Sequence, residues 1–230
     1  MTQIVFSELI ERFRKVGTAA ISDAMEPQLS AMDGEIKSVI GRVKIAGPAL
    51  TVRGYPGDEL TLGKAIELAN RGDVIVVDGR GVKQAALMGG IGFGYCWQKG
   101  VEGVVIDGAT RDAEELKDYG FPVFARATVP TSAVSASMGQ VNVPIQCGGV
   151  NVNPGDIIVG DTDGVVVVPR AEAEKILTIA EKISSLDKES IEWIKAKVPM
   201  GEIKRKRAEK AKEIKEVKEK LLGRRLETHW

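Results

Sequence analysis

Three short runs of almost uninterrupted apolar residues constrain the fold of this chain more than any other feature. They occupy residues 73–78, 103–107 and 121–126, and segments with helical periodicity at 83–99 and 112–119 separate them. Such a run is typical of a strand buried on both faces, as in a parallel sheet covered by helices. Strands that alternate with helices in this way predict a parallel sheet with right-handed crossovers.

The flanking segments extend the pattern. Residues 4–16 and 170–186 show helical periodicity, and residues 43–53 predict a strand that a Gly-Pro pair interrupts. After residue 128, short β segments separated by Gly, Pro, Asn and Asp turns are typical of an all-β unit. These segments are 141–143, 149–152, 156–159 and 165–168. The sequence therefore predicts an α/β protein whose central sheet contains parallel strands.

A net charge of zero conceals an uneven distribution of charge. The chain of 230 residues has 32 Lys or Arg and 32 Asp or Glu, but residues 201–225 hold eleven of the cations and only five Glu. The first 200 residues therefore carry a net charge of −5. We place residues 1–200 in one domain and residues 201–230 in a basic C-terminal extension, with a charged helix predicted at 202–222.

Two interpretations of this extension stay open. It is either a solvated or subunit-packing helix, for which its thin apolar stripe argues, or a helix that binds nucleic acid. The sequence has few aromatic residues among the basic ones, so stacking on bases has little support. We therefore expect no nucleic-acid binding, and any such role would fall to residues 201–225.

The residue counts exclude several kinds of chemistry. Since His229 is the only histidine, a Ser-His-Asp triad and a histidine-rich zinc site are excluded. Cys96 and Cys147 form no Cys-x-x-Cys motif, and so predict a reducing, cytoplasmic location. The N-terminal segment is expected to be neither a signal peptide nor an anchor, and no apolar run approaches the roughly 20 residues of a membrane span. Any chemistry is left to carboxylates, Arg, Lys, backbone amides or a hard metal ion.

Arg111 and Asp112 are the strongest candidate site residues. They follow the buried strand at 103–107, and ligands on open parallel sheets bind beyond the carboxyl ends of the strands. Arginine can bind a carboxylate in bidentate fashion, and an aspartate can hold a divalent cation whose other positions water fills. The alternative, that Asp112 caps the helix at 112–119 and Arg111 pairs with a surface acid, stays open.

Residues 88–95 form a glycine-rich segment, with glycines at 89, 90, 92 and 94. Glycine lets a small anion approach backbone N–H groups, above all at a helix start. Tight helix packing explains the pattern equally well, and both interpretations stay open. The segment is not a dinucleotide-binding motif, and in the nearby G-x-G at 79–81 Gln84 stands where the last glycine is needed.

Three other aspartates and one short acidic segment have structural interpretations. We predict that Asp78 and Asp107 form turns at strand ends, and that Asp58 caps the helix that follows it. Residues 160–164, GDTDG, predict a tight turn, since the twelve-residue pattern of a calcium loop is absent.

Six segments in order closely resemble the RraA-like family. They are TAAISDAM (18–25), GPALTVRGYPGDE (47–59), GDVIVVDGRG (72–81), GVEGVVIDGATRD (100–112), FPVFAR (121–126) and NPGDIIVGDTDGVVVVPR (153–170). The family includes the regulator of ribonuclease activity A and the class II aldolases that act on 4-hydroxy-4-methyl-2-oxoglutarate and 4-carboxy-4-hydroxy-2-oxoadipate. The resemblance covers about residues 5–200.

The resemblance implies a swivelling β/β/α fold, assembled as a homotrimer or hexamer with its active site between subunits. It implies that Asp112 holds Mg²⁺ or Mn²⁺ and that Arg111 binds the pyruvyl oxygen and stabilises the enolate. The amides of the glycine-rich loop would bind the substrate carboxylate. That loop comprises Gly89, Gly90, Ile91 and Gly92. These roles agree with the interpretation from the residues, since all of them act on developing negative charge.

One departure from the family pattern bears on the reaction. The aldolases carry an acid 21 positions before the arginine, and in this chain that position is Gly90. A helical acid from a neighbouring subunit also contributes in the family, and Glu189 or Glu192 is the candidate here. Decarboxylation of oxaloacetate places less demand on a base than aldol cleavage does.

Three functional hypotheses follow. The leading one is a divalent-metal-dependent lyase, an aldolase or an oxaloacetate decarboxylase, that acts on a pyruvyl-containing 2-oxo acid. The alternative is a non-catalytic regulator that binds a ribonuclease or another protein. A third is a lyase whose extra glycines, Gly90 and Gly92, make room for a bulkier substrate.

Overall fold

The computed structural model describes residues 5–25 and 30–223. The helices are α1 (Phe6–Lys15), α2 (Thr18–Met25), α3 (Leu60–Leu68), α4 (Gly90–Lys99), α5 (Ala113–Tyr119), α6 (Ala173–Lys195) and α7 (Met200–Leu222), with a 3-10 turn at Arg170–Glu172. The strands are β1 (Lys37–Ser38), β2 (Ile45–Arg53), β3 (Val74–Ala86), β4 (Gly103–Thr110), β5 (Val123–Thr128), β6 (Gln140–Val141), β7 (Ile145–Cys147), β8 (Val150–Val152), β9 (Ile157–Asp161) and β10 (Gly164–Val168).

One mixed sheet organises the molecule. Its strand order is β1-β5-β4-β3-β2-β9-β10, with β6 paired to β2, while β7 and β8 form a separate hairpin. The pairs β2–β3, β3–β4 and β4–β5 are parallel, which confirms the predicted parallel sheet. The first half of β2 pairs instead with β9, antiparallel, so that β2 joins the parallel part of the sheet to the antiparallel part.

The buried runs form strands because both faces of the sheet are covered. One apolar cluster packs β3 and β4 against α3, α4 and α5, and it includes Phe93 and Leu116. Another cluster on the opposite face packs Phe124 of β5 and Val105 of β4 against the β7–β8 hairpin. All eight residues of β4 are buried. Burying an aliphatic side chain contributes about 1.5–3 kcal/mol, which accounts for the uninterrupted apolar sequence.

The predicted helix at 83–99 is wrong over its first part. Strand β3 continues to Ala86, with shifts of register against β4 after Val77 and after Val82. The backbone N–H of Ala86 donates to the carbonyl of Thr131 at 2.8 Å. Since β4 and the loop at Thr131 satisfy this backbone, polar residues continue the strand and the helix begins only at Gly90.

The charged extension forms helix α7, as predicted, and α7 packs on α6. Arg207 donates to Ser190 Oγ at 2.6 Å, and Lys210 pairs with Glu189. The apolar stripe of α7 (Ile214, Val217 and Leu221) joins the cluster formed by α1, α2 and α6. This packing within the chain supports the structural interpretation of the stripe. Residues 224–230 of the predicted extension, with His229, lie outside the described residues.

Between residues 5 and 25 and between 30 and 223, every helix is too short or too polar to cross a membrane.

Candidate functional site

Two chain segments meet at the carboxyl edge of the parallel strands. One follows β3 and enters α4, and the other follows β4 and enters α5. The backbone N–H of Leu87 donates to the carbonyl of Ala109 at 2.9 Å, and the buried hydroxyl of Thr110 donates to the carbonyl of Met88 at 2.9 Å. These bonds fix the two segments side by side, as expected for neighbouring parallel strands.

Arg111 and Asp112 lie directly against the glycine-rich loop. Asp112 Oδ2 accepts a hydrogen bond from the backbone N–H of Gly90 at 2.8 Å, and Arg111 Nε lies 3.5 Å from the same oxygen. A Cβ atom at Gly89 would overlap Asp112 Oδ2 and lie 2.8 Å from Arg111 Nε. A side chain at position 89 would therefore have to displace the Asp112 carboxylate and the Arg111 guanidinium from these positions.

The backbone of Asp112 explains why its carboxylate reaches α4. Asp112 has left-handed dihedral angles, φ 61° and ψ 46°, a conformation that Asp and Asn adopt more readily than other residues with a Cβ atom. Its side chain makes no capping hydrogen bond to α5, and instead caps the N-terminus of α4 through Gly90. A negative charge is stabilised at that position by the helix dipole.

The structural alternative for the pair is therefore wrong in its details. Asp112 caps α4 rather than α5, and the acid that pairs with Arg111 is Asp112 itself. Both side chains are 37% exposed, so the pair is open to a ligand.

A cleft of about 420 Å³ opens beside the pair. Its walls are mainly apolar, and Tyr95 of α4 and Ser135 add hydroxyl groups. Of the predicted carboxylate-binding loop, Gly89, Ile91 and Gly92 line the cleft. The fourth member, Gly90, is buried, and its N–H is already bonded to Asp112.

The two interpretations of the glycines apply to different positions. Gly90 and Gly94 lie one turn apart on α4, and Cβ atoms there would each approach α5 to 3.3 Å, at Glu115 Cβ and at Tyr119 Oη. These two glycines serve helix packing, as the structural interpretation predicts. Gly89 instead serves the close approach to the Arg-Asp pair.

Asp112 could hold a divalent metal ion that is coordinated mainly by water and substrate, but it does not belong to a cluster of protein ligands. Among the described residues, no group of three or more His, Cys, Asp or Glu side chains could hold a metal ion. Mg²⁺, however, keeps several waters and is often bound by one or two carboxylates together with substrate oxygens. A single half-exposed carboxylate beside an open cleft fits that mode of binding.

Asp78 and Asp107 are strand residues rather than the predicted turns. They lie in β3 and β4, outside the cleft lining. Asp107 accepts hydrogen bonds from Arg126 Nε and, at 2.7 Å, from the backbone N–H of Gly148. Burial is the main cause that raises the pKa of Asp78. Asp107 is therefore a buried acid of the sheet with structural partners, and Asp78 is half-buried.

Asp58 caps α3 as predicted. The following residue, Glu59, lies in the lining of the cleft, and this was not predicted from the sequence. Asp58 is buried and accepts hydrogen bonds from the backbone N–H groups of Leu60 at 3.0 Å and Ser137 at 2.7 Å. Its neighbour Glu59 lines the cleft with Arg111 and Asp112. The sequence contains a sign of this position, because PGDE (56–59) follows the carboxyl end of strand β2, where ligands of parallel sheets bind.

Comparison with known proteins identifies the family of this chain. The family model RraA-like, described as Aldolase/RraA, matches residues 18–167. The chain belongs to the RraA-like family. Membership confirms the predicted resemblance, and α6 and α7 lie beyond the matched residues.

Two relatives in this family have aldolase names. A Thermus thermophilus protein named 4-hydroxy-4-methyl-2-oxoglutarate aldolase is 36% identical over 152 residues, which cover 66% of this chain and 92% of that protein. A Halalkalibacterium halodurans protein, which carries the same name provisionally, is 41% identical over 175 residues, or 76% of this chain and 83% of the relative.

A solved RraA-like structure supports the α/β fold class. Streptomyces coelicolor RraAS2, described as an unusual member of the RNase ES inhibitor RraA family, superimposes with a TM-score of 0.74 at 29% identity. The match covers 83% of this chain and 98% of RraAS2. The family thus contains proteins named as aldolases and proteins named as ribonuclease inhibitors.

Proposed function

We propose that this RraA-like protein is a divalent-metal-dependent lyase that breaks a carbon–carbon bond in a pyruvyl-containing 2-oxo acid. The reaction is aldol cleavage, as the names of the relatives suggest, or decarboxylation of oxaloacetate. The observation that carries the proposal is the meeting of Arg111, Asp112 and the start of α4 in the lining of a mainly apolar cleft. Positive charge and amide dipoles that act on the same bound group would stabilise the negative charge of an enolate.

Arg111 is proposed to bind the keto oxygen of the substrate. Its Nε lies beside Asp112, and no hydrogen bond joins its terminal nitrogens to the described residues. Those nitrogens are available to an oxygen in the cleft. Because a guanidinium stays charged throughout the reaction, it stabilises the enolate more strongly than the neutral ketone.

The backbone amides at the start of α4 are proposed to bind the substrate carboxylate. Gly89, Ile91 and Gly92 line the cleft at the N-terminus of this ten-residue helix. Amide N–H groups and the helix dipole favour an anion at this end. The pyruvyl group is thereby oriented with its keto oxygen toward Arg111.

Asp112 is proposed to hold Mg²⁺ or Mn²⁺, which when bound polarises the keto oxygen as a Lewis acid. The bond from Gly90 fixes Oδ2 and leaves Oδ1 without a hydrogen-bond donor among the described residues. In decarboxylation, the electrons of the broken bond pass into the keto group as CO₂ leaves, so cleavage itself needs no base. Aldol cleavage also requires removal of the proton from the 4-hydroxyl group, and Gly90 offers no side chain for that step.

Removal of divalent metal tests this proposal. We expect pyruvate release from oxaloacetate or a 4-hydroxy-2-oxo acid with Mg²⁺ or Mn²⁺, and at least about a tenfold loss of rate after chelation. A coupled lactate dehydrogenase assay measures the pyruvate, and re-addition of metal controls for damage by the chelator. No pyruvate from any of these substrates with either metal would contradict the proposal.

A substitution at Gly89 tests whether its close approach to Asp112 and Arg111 matters for the reaction. Gly89→Ala is expected to lower kcat/KM about a hundredfold, because its Cβ would push Asp112 and Arg111 apart and misplacement by about 1 Å costs that much. Gly94→Ala is the matched control, since the three atoms nearest to its Cβ would all belong to Tyr119 of α5. Equal kcat/KM values for the two variants would show that the Arg-Asp geometry is not needed.

A non-catalytic regulator is the second candidate, because the RraAS2 structure belongs to a family described as ribonuclease inhibitors. Such a protein would act through its surface rather than its cleft. Co-purification with a ribonuclease that survives in Asp112→Ala, without pyruvate release by the parent protein, would favour this function.

A further inference from the structure

The hydroxyl of Thr110 joins the two segments that form the candidate site. Thr110 is the last residue of β4, directly before Arg111, and its Oγ1 donates to the carbonyl of Met88 at 2.9 Å. Thr110 is fully buried and Met88 is only 4% exposed. A hydrogen bond between such groups is costly to lose, because neither of them can turn to water instead.

The Met88 carbonyl depends mainly on this hydroxyl. Its other donor, the backbone N–H of Arg111, lies 3.3 Å away, which is longer than most N–H···O hydrogen bonds. Thr110 is held in turn from the opposite side, where its carbonyl accepts a hydrogen bond from the N–H of Val129 at 2.9 Å. The hydroxyl of Thr110 therefore fixes the Met88 carbonyl toward β4.

The direction of the Met88 carbonyl sets the direction of the Gly89 N–H. The two groups belong to one trans peptide, in which C=O and N–H point in opposite directions. Strand β3 lies between β4 and β2 in the sheet, and α3 packs on β2. Because the carbonyl points to β4, the N–H points to the side of β2 and α3, where Leu60 and Leu62 line the cleft.

This direction makes the Gly89 N–H a donor for a ligand in the cleft. Gly89 is half-buried and lines the cleft, and its N–H donates to no described residue of its own chain. The next N–H, that of Gly90, is by contrast bonded to Asp112. At the start of α4, an N–H that faces the cleft suits a carboxylate.

We infer that Thr110 is a positioning residue, whose hydroxyl holds the Met88–Gly89 peptide group so that the Gly89 N–H can donate to the substrate carboxylate. Thr110 itself does not touch the ligand. Without the hydroxyl, the peptide group can rotate, and binding must then restrict that rotation at a cost in affinity. This inference rests on the proposed function, which assigns the pyruvyl carboxylate to the start of α4.

Pyruvate binding to the full-length protein, measured by calorimetry with MgCl₂, tests the inference. Thr110→Val replaces the hydroxyl with a methyl group and should weaken binding about tenfold, which corresponds to one hydrogen bond to a charged group. Thr110→Ser keeps the hydroxyl and should bind pyruvate nearly as tightly as the parent. If Thr110→Val does not fold, Thr110→Ala takes its place in the comparison with Thr110→Ser. Equal losses of affinity in the serine and valine or alanine variants would overturn the inference.

Thr51→Val is the matched control for a purely structural role. Thr51 of β2 is equally buried, and its hydroxyl donates to the carbonyl of Val143 at 2.6 Å, outside the cleft lining. The variant should lower the melting temperature about as much as Thr110→Val does, yet keep the parental affinity for pyruvate. If both variants lose the same affinity, the hydroxyl of Thr110 only stabilises the sheet and the inference is overturned.

A spectroscopic experiment observes the peptide group itself. The chain has three Met-Gly pairs, at 88–89, 138–139 and 200–201. With isotope labels on the methionine carbonyl carbon and the glycine nitrogen, only these pairs give a carbonyl-to-amide correlation in the NMR spectrum. Pyruvate should shift the 88–89 signal and leave the other two, one of which belongs to Gly139, whose N–H is bonded to Thr61 Oγ1 at 2.8 Å. An unshifted 88–89 signal in a parent protein that binds pyruvate would overturn the inference.

The failure of this inference and that of the proposed function are distinguishable. If the parent and Thr110→Val bind pyruvate equally well, only the inference about Thr110 falls. If the parent binds no pyruvate with MgCl₂ or MnCl₂, the proposed function falls and this inference falls with it.

Discussion

Asp112→Asn is expected to lower kcat/KM for metal-dependent pyruvate release by about 10²–10³-fold. The amide keeps an oxygen that can accept the hydrogen bond from Gly90, and asparagine tolerates the left-handed backbone at this position. What it removes is the negative charge proposed to hold the metal. The expected loss therefore reports on charge rather than on folding, and steady-state assays across a range of Mg²⁺ concentrations would measure it.

Asp112→Ala tests in addition the left-handed backbone conformation at this position. It is expected to lose activity to a similar degree and in addition to lose about 1–2 kcal/mol of unfolding free energy, because alanine in the left-handed conformation is strained. Glu114→Ala is the control, since Glu114 is an exposed acid in the first turn of α5 that pairs with Lys117. Parental turnover by Asp112→Asn at any Mg²⁺ concentration would remove Asp112 from the mechanism.

Arg126→Met is expected to lower the free energy of unfolding by about 3–5 kcal/mol. Arg126 and Asp107 are only 11% and 10% exposed, and Arg126 also pairs with Asp33 at 2.9 Å and Glu35 at 3.1 Å. Loss of the guanidinium leaves the buried Asp107 charge with the backbone N–H of Gly148 as its remaining partner. Urea unfolding at neutral pH would measure the change.

Two further variants make this stability prediction specific. Arg12→Met breaks the more exposed pair with Glu181, 28% and 38% exposed, and should cost at most about 1 kcal/mol. The double variant Arg126→Met/Asp107→Asn should recover part of the stability, because no unpaired charge remains buried. A cost for Arg126→Met no larger than that for Arg12→Met would contradict the prediction.

The same network predicts a loss of stability in acid. The pKa of Asp33 is lowered first by the backbone N–H of Glu35 and then by Arg126, and the pKa of Glu35 first by Lys83 and then by Arg126. A carboxylate whose pKa is lowered in the folded state stabilises the fold at pH values above its ordinary pKa. That contribution to the free energy of unfolding is lost as the pH falls through the lowered pKa. The stability difference between the parent and Arg126→Met should therefore shrink as the pH falls below about 4.5, the ordinary pKa of a glutamate.

The sequence predicts the buried strands well because their signal is local. The apolar runs at 73–78, 103–107 and 121–126 all form strands, since burial on both faces requires such composition. The extension of β3 to Ala86 was not predictable in this way. It depends on hydrogen bonds to β4 and to Thr131, residues distant in the sequence.

The candidate site likewise has features that the sequence predicts and features that depend on the folded structure. That Arg111 and Asp112 meet the loop at 89–92 follows from the order of parallel strands, whose ends share one edge. That Asp112 caps α4 depends on a backbone conformation that composition does not encode. The place of Glu59 in the cleft depends on β2 pairing beside β3 and on hydrogen bonds from residues 134–137.

The contact between α4 and α5 makes mutations at two positions of this site depend on each other. A Cβ at Gly90 would lie 3.3 Å from Glu115 Cβ and 3.4 Å from Asp112 Cβ, closer than side chains ordinarily pack. A side chain at position 90 therefore requires α5 to shift by a few tenths of an ångström, and since the contact is with Glu115 Cβ, only glycine at position 115 would remove it. The effect of a side chain at position 90 therefore depends on the residue at position 115, so that the two substitutions are expected to be non-additive.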